Sequence, residues 1–232
     1  MTNASYRQFC PVAMAAEILC TRWTVVLLRE LVAGSTRFNE LRRGVPRMSP
    51  ALLSRRLREL ERAGILRREP APGAPGIDAY RLTQSGRDLQ PVIEALGMWG
   101  QKWVETEPTL ANLDPELLMW DMRRNLRTEP IPARRVVIAF IYPDLPRGER
   151  NWWLIVEPDR SVDLCHVDPG FEVDLFVHAD LRTMTEIWLG LTSVSRARRE
   201  GRLTLTGPVE LADRMQSWLG LSPFAVQRKL AS

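Results

Sequence analysis

Apolar positions recur at helical spacing along the first hundred residues, and in the second half their period shortens towards two. Behind Cys10-Pro11, the residues Val12, Ala15, Ala16 and Leu19 predict a short helix with proline in its first turn. A second helix is predicted from Thr21 to Val32, where Trp23, Val26, Leu27 and Leu31 repeat three and four apart and Gly34 supplies the stop. Arg37 to Arg43 reads as a short third helix closed by Gly44 and Pro46. Ser49-Pro50, an N-cap followed by proline, opens a fourth that runs to Ala63 and stops at Gly64. Ile65 to Arg68 then reads as a strand, Pro70 to Gly76 as a turn-rich hairpin tip, and Ala79 to Leu82 as the return strand. Thr83 caps a predicted long helix to Val104, with Leu89, Val92, Ile93, Leu96, Trp99 and Trp103 on its apolar side.

Thr106 to Leu113 is predicted to be a proline-containing linker. Asp114-Pro115 caps a helix to about Leu126, which Pro130 and Pro132 end. Strands follow at Val136–Tyr142 and Asn151–Val156, and around the alternating sets Val162, Leu164, His166 and Val173, Leu175, Val177. Helices are predicted at Leu181–Gly190 and Ser193–Glu200. A fifth strand spans Gly201–Gly207, and a last helix runs from Pro208 to Leu219. Strands first and helices afterwards predict an α+β fold with a five-stranded sheet.

The fourth helix carries the most chemistry. At 100° per residue, Leu52, Leu53, Leu57 and Leu60 fall within one arc of about 140°. Ala51, Arg55, Arg58 and Arg62 stand on the opposite arc, with Ser54 beside them. Arg56 falls inside the leucine arc, which predicts a partly buried ion pair with Glu40 rather than an outward contact. A basic face that merely meets solvent is the plainer alternative for the other arginines.

Charge sharpens the picture. Lys102 and Lys229 are the only lysines among 32 basic residues, and a GC-rich codon bias accounts for much of the arginine excess. It does not account for the distribution. Residues 1–105 hold sixteen basic and ten acidic side chains, a balance of +6, while the remainder stands at −2. Residues 37–68 alone carry ten arginines against Glu40, Glu59 and Glu61. Such asymmetry predicts a polyanionic partner, double-stranded DNA being the commonest.

The 232-residue length suits two domains, and 45% hydrophobic with 26% charged residues is ordinary globular composition. No run of about 18 uncharged apolar residues occurs and Met1–Cys10 lacks a secretory pattern. Three cysteines, Cys10, Cys20 and Cys165, make no disulfide framework. A reduced, cytoplasmic protein is expected.

The strings Cys10-Pro11, Trp23-Thr24, Leu27 to Leu31, Arg37 to Leu41, Leu53 to Leu60, Ala63-Gly64 and Tyr80 to Thr83 resemble the HxlR family of bacterial transcriptional regulators over about residues 8–104. The resemblance implies a winged helix-turn-helix, and a homodimer formed through the first and last helices of this domain. It also implies two recognition helices meeting successive major grooves of a near-palindromic operator. The wing departs from the family pattern, because Pro70 to Ala79 contains no basic residue.

On this reading Arg55 and Arg58 contact base edges, since arginine binds guanine bidentately. Ser54 reaches a base or a phosphate, and Ala51 a thymine methyl. Arg37, Arg43, Arg47, Arg62 and the N-cap Ser49 flank the helix and would set register on the backbone, with Arg68 and Arg81 at the base of the wing. Some HxlR relatives sense oxidants through a cysteine in the same Cys-Pro setting, which makes Cys10 a candidate redox residue. A small buried apolar role for Cys10 stays open.

The second half resembles the sterol carrier protein type 2 fold through Asp180-Leu181, Trp188 to Gly190, Glu200 to Leu203, Gly207 and Trp218-Leu219, over about residues 114–222. That resemblance implies an apolar cavity for a lipid-like molecule. Trp152, Trp153, Met184, Trp188, Met215 and Trp218 are candidates to line it, with a plain core role as the alternative. His166 and His178, the only histidines, lack neighbours at metal-ligand spacing, and no nucleophile elbow or phosphate loop occurs. No enzyme activity, metal or cofactor is expected.

The expected organisation is thus a DNA-binding and dimerisation domain over 1–105, a linker over 106–113 and a ligand-binding domain over 114–232. An apolar effector would favour one dimer arrangement and so change the spacing of the recognition helices. Two rivals remain: a regulator whose C-terminal domain is purely structural, and a lipid carrier whose N-terminal domain only dimerises.

Overall fold

Residues 5–106 and 110–231 are described by a computed structural model. Residues 1–4 of the N-terminal segment and 107–109 of the expected linker lie outside the described residues. Packing divides the chain into two units, Met1–Gly97 and Met98–Ser232. The division falls ahead of the stretch read as a linker because the residues after it bond within the second unit. Gln101 Nε2 donates to the Leu189 carbonyl at 3.0 Å, and the Leu230 N–H donates to the Lys102 carbonyl at 2.9 Å.

The first unit contains α1 (Pro11–Leu19), α2 (Thr24–Val32), α3 (Phe38–Gly44) and α4 (Pro50–Arg62). The hairpin β1 (Leu66–Pro70) and β2 (Asp78–Leu82) follows, then α5 (Gln84–Arg87) and the start of α6 (Gln90–Trp103). Leu27, Leu28 and Leu31 of α2, Leu41 of α3 and Leu53, Leu57 and Leu60 of α4 bury together with Ile65, Leu66 and Ile93. Each fully buried leucine contributes about 1.5–3 kcal/mol, so this shared core holds the three helices at fixed angles. β1 and β2 pair antiparallel with Leu66 opposite Leu82 and Arg68 opposite Tyr80. The Tyr80 N–H donates to the Thr36 carbonyl at 2.7 Å, tying the hairpin to the entry of α3.

Two predicted helices differ in this unit. α2 starts at Thr24 rather than Thr21, because Trp23 takes a left-handed conformation at φ 78°. The helix expected from Thr83 to Val104 breaks into α5 and α6 at Asp88-Leu89. Pro91 explains the break: it has no N–H to give the Arg87 carbonyl, and its ring would clash there.

In the second unit α7 (Pro115–Asn125) precedes β3 (Val136–Ile141), β4 (Asn151–Val156), β5 (Val162–Cys165) and β6 (Leu175–Ala179). Then come α8 (Leu181–Trp188), α9 (Val194–Arg199), β7 (Leu203–Thr206), α10 (Val209–Asp213) and α11 (Met215–Trp218). The five strands lie in the order β5-β4-β3-β6-β7, with β3 and β6 parallel and the other neighbours antiparallel. Alternate residues Val136, Ile138 and Phe140, Trp152, Leu154 and Val156, and Leu175 and Val177 face the helices and bury with Met119, Met184, Met215 and Trp218. Asp114, Asp180 and Ser193 accept from backbone N–H groups at the starts of α7, α8 and α9. The helix expected from Pro208 to Leu219 divides into α10 and α11. Trp218 Nε1 donates to the Leu211 carbonyl at 2.8 Å, occupying the acceptor that a continuous helix would offer to the Met215 N–H. Among the described residues no single helix is long and apolar enough to cross a membrane.

Candidate nucleic-acid interface

The Ser49 hydroxyl accepts the Leu52 N–H at 3.3 Å and Pro50 follows at the first helical position, so α4 begins where its sequence places it. Leu53, Leu57 and Leu60 are buried, which turns Ala51, Arg55, Arg58 and Arg62 outward; all four are exposed and Ser54 is half-buried. Among the described residues Arg55, Arg58 and Arg62 have no hydrogen-bond or ion-pair partner. A row of unneutralised guanidinium groups about two helical turns long is poised for an anionic surface.

The remaining arginines divide into two groups. Arg37, Arg43 and Arg47 are exposed beside α3 and ahead of α4. Arg37 and Arg43 share with Asp78 and Tyr80 the lining of a cavity of about 480 Å³ between α3 and the hairpin. Arg42, which the sequence reading passed over, is exposed too, and it alone of the adjacent pair Arg42-Arg43 has no partner among the described residues. Its only sequence signal is the Arg42-Arg43 pair.

The wing arginines are paired with carboxylates. Arg81 Nε meets Glu69 Oε1 at 2.5 Å, Arg67 Nε meets Glu69 Oε2 at 2.9 Å, and Arg68 Nη1 lies 3.4 Å from Asp78 Oδ2. The charges of Arg68 and Arg81, expected at DNA phosphates, are thus partly compensated by these carboxylates. Arg56 does not pair with Glu40. It bonds Glu59 one turn ahead, and its Nε donates to the Arg22 carbonyl at 3.1 Å. Glu40 is taken by the start of α3, where its Oε2 accepts the Thr36 and Arg37 N–H groups at 2.8 and 2.9 Å.

Cys10 is exposed at the N-cap of α1. The backbone N–H groups of Ala13 and Val12 at the start of α1 favour its thiolate and hold the thiol below its ordinary range. Within the single chain Cys10 therefore makes no contribution to the core.

In the second unit Trp152, Met184, Trp188, Met215 and Trp218 are buried in the core between sheet and helices. Trp153 does not join them. It pairs with Ala139 and Cys165 on the other face of the sheet, since neighbouring strand residues point oppositely. The six residues therefore cannot line one cavity. A cavity of about 370 Å³ in this unit is lined instead by mostly polar residues, among them Arg196, Arg202 and Lys229.

A core-packed helix pair, α3 and α4, backed by a two-stranded hairpin, defines a winged helix-turn-helix unit. The chain belongs to the HxlR-like helix-turn-helix family, whose sequence profile matches residues 18–108. The HTH-type transcriptional regulator YdeP of Bacillus subtilis is 40% identical over 94 residues, which are 40% of this chain and 73% of that protein. YvaP of the same organism, also described as an HTH-type transcriptional regulator, is 34% identical over 99 residues, 42% of this chain and 92% of that protein. Among solved structures, the redox regulator HypR in its reduced form is 35% identical, with 40% of this chain and 91% of that chain covered, at a TM-score of 0.37.

Proposed function

We propose that the protein is a DNA-binding transcriptional regulator that acts as a cytoplasmic homodimer on a near-palindromic operator. The exposed, unpartnered row Arg55, Arg58 and Arg62 on α4 is the observation that carries this reading. α4 enters the major groove, where Arg55 and Arg58 meet guanine edges and Ser54 and Ala51 fill beside them. Arg37, Arg43, Arg47, Arg62 and Ser49 hold the phosphates on either side. Two exposed apolar stripes support the dimer. α1 has no buried residue, and Val12, Met14 and Ile18 are exposed. Val92, Leu96, Trp99 and Trp103 of α6, spaced by the helical period, are exposed as well. Selection from a randomised duplex library tests the proposal. Wild-type protein should enrich a two-fold symmetric site, and Arg55→Ala with Arg58→Ala should abolish that enrichment while leaving the fold intact.

The second unit serves this regulator as a domain for an apolar, lipid-like effector, as its resemblance to the sterol carrier fold suggests. Trp152, Met184, Trp188, Met215 and Trp218 would surround that ligand. A second reading, in which the unit is purely structural, is favoured by the complete burial of Met184, Met215 and Trp218 in one packed cluster. Native mass spectrometry of the isolated protein separates the two. A reproducible added mass in the lipid range supports the effector, and a bare dimer supports the structural role.

A further inference from the structure

We propose that the groove between α3 and the hairpin binds an aromatic monocarboxylate, which competes with DNA for Arg37. The site stands on its own geometry, and only the competition rests on the function proposed above.

The groove encloses about 480 Å³, within the range of small-molecule sites. Arg37, Phe38 and Asn39 line one side at the start of α3, and Ile77 and Tyr80 line the other from the hairpin. Both sides are fixed before any ligand arrives. Arg37 bridges Ala79 in antiparallel fashion, and the Tyr80 N–H donates to the Thr36 carbonyl at 2.7 Å. At the tip the Ala71 N–H donates to the Ile77 carbonyl, also at 2.7 Å. A preformed groove loses little affinity to ordering.

Apolar surface lies open on both sides. Ile77 is 46% exposed. Phe38 and Tyr80 are half-buried, packed against the core of the unit while still lining the groove. Two rings and a branched side chain in one groove suit a flat aromatic guest, which stacks on a ring face or meets its edge.

The polar groups decide what that guest carries. Charge on the lining is balanced, with Arg37 and Arg43 against Glu40 and Asp78. Selection therefore falls to the groups that are free. Glu40 is bonded to the Thr36 and Arg37 N–H groups, and Asp78 faces Arg68. The Arg37 guanidinium has no hydrogen-bond or ion-pair partner among the described residues, nor have the Asn39 amide and the Tyr80 hydroxyl. A guanidinium clasps a carboxylate through two parallel N–H bonds, so Arg37 takes the acid group. Asn39 and Tyr80 accommodate a polar substituent on the ring. With two carboxylates already on the lining, one negative charge is favoured over two.

Isothermal titration of the full chain without DNA tests the site, with naphthoate, uncharged naphthol and acetate as probes. Saturable one-to-one binding of naphthoate is expected. Naphthol and acetate should each bind at least about tenfold more weakly, because each lacks half of what the groove recognises. Arg37→Gln alters an exposed, unpartnered side chain and should keep the melting temperature while weakening naphthoate about tenfold. Ile77→Ser should weaken it severalfold. Absence of saturable heat from naphthoate would overturn the proposal, and so would affinity unchanged in Arg37→Gln and Ile77→Ser. Saturating naphthoate should then weaken wild-type binding to the selected duplex severalfold and leave that of Arg37→Gln unaltered. Naphthoate that binds through Arg37 without weakening the duplex would overturn the competition. A chain that takes naphthoate but binds no duplex would instead fail the proposed function alone.

Discussion

The carboxylate of Glu30 occupies the space that a side chain at Gly44 would need: a β-carbon built there would stand 1.8 Å from Glu30 Oε2. Glu30 is fully buried, its Oε1 meets Arg29 Nη2 at 2.5 Å, and its Oε2 accepts from the Ser35 hydroxyl at 3.2 Å. The same Arg29 nitrogen donates to the Gly44 carbonyl at 2.9 Å. The end of α3, and with it the approach to α4, is thereby pinned to α2 through one carboxylate and one guanidinium.

Gly44→Ala should therefore destabilise the protein by about 3 kcal/mol, since a buried, doubly bonded carboxylate has nowhere to retreat. Urea unfolding measures the loss. In a Glu30→Ala background the same glycine substitution should cost much less, and equal costs in both backgrounds would refute the clash.

Arg55→Ala and Arg58→Ala should each lower discrimination between operator and altered sites by about 1–3 kcal/mol. Arg62→Ala should weaken all sequences alike and flatten the salt slope by about one. With about six phosphates neutralised, log affinity against log salt should fall at a slope of roughly −5, measured by fluorescence anisotropy.

At the wing the carboxylates decide. Arg81→Ala should cost less DNA affinity than Arg62→Ala, because Arg81 is paired with Glu69. Glu69→Gln releases Arg67 and Arg81 together and should tighten non-specific binding severalfold at low salt, an effect that high salt removes. Unchanged affinity in Glu69→Gln would show that the wing stays clear of DNA.

The lowered thiol of Cys10 sets a pH dependence. Thiolate is the reacting form, so alkylation of Cys10 should rise with pH and level off earlier in the folded protein than in the urea-unfolded chain. Peptide mass spectrometry after timed iodoacetamide exposure gives both profiles. Coincident profiles would remove the chemical basis for Cys10 as a redox residue.

Val12 is 76% exposed, so Val12→Asp should leave the melting of an isolated chain nearly unchanged. Under the dimer proposal it should convert the protein to monomer in light scattering and weaken operator binding. A dimer that survives the substitution would place the interface elsewhere.

Local chemistry was legible from the residues alone. Ser49-Pro50 and Asp114-Pro115 start helices because cap and proline act on the turn that carries them. The leucines and arginines of α4 separate onto two faces because 3.6 residues per turn admits no other arrangement. Pro91 marked the break between α5 and α6 as plainly, yet the apolar period running through it suggested one helix. What lay beyond the sequence is everything set by partners distant along the chain. Glu69 and Asp78 reach the wing arginines only because β1 and β2 pair, and Glu59 rather than Glu40 meets Arg56 because the start of α3 has claimed Glu40. The alternation of β4 sends Trp152 and Trp153 to opposite faces, but only the register with Ala139 and Phe140 shows which face is core. Arg37, Asn39, Ile77 and Tyr80 carry no shared motif. The bond from the Tyr80 N–H to the Thr36 carbonyl, far apart along the chain, brings the hairpin to α3, and no period or cap in the sequence encodes that closure.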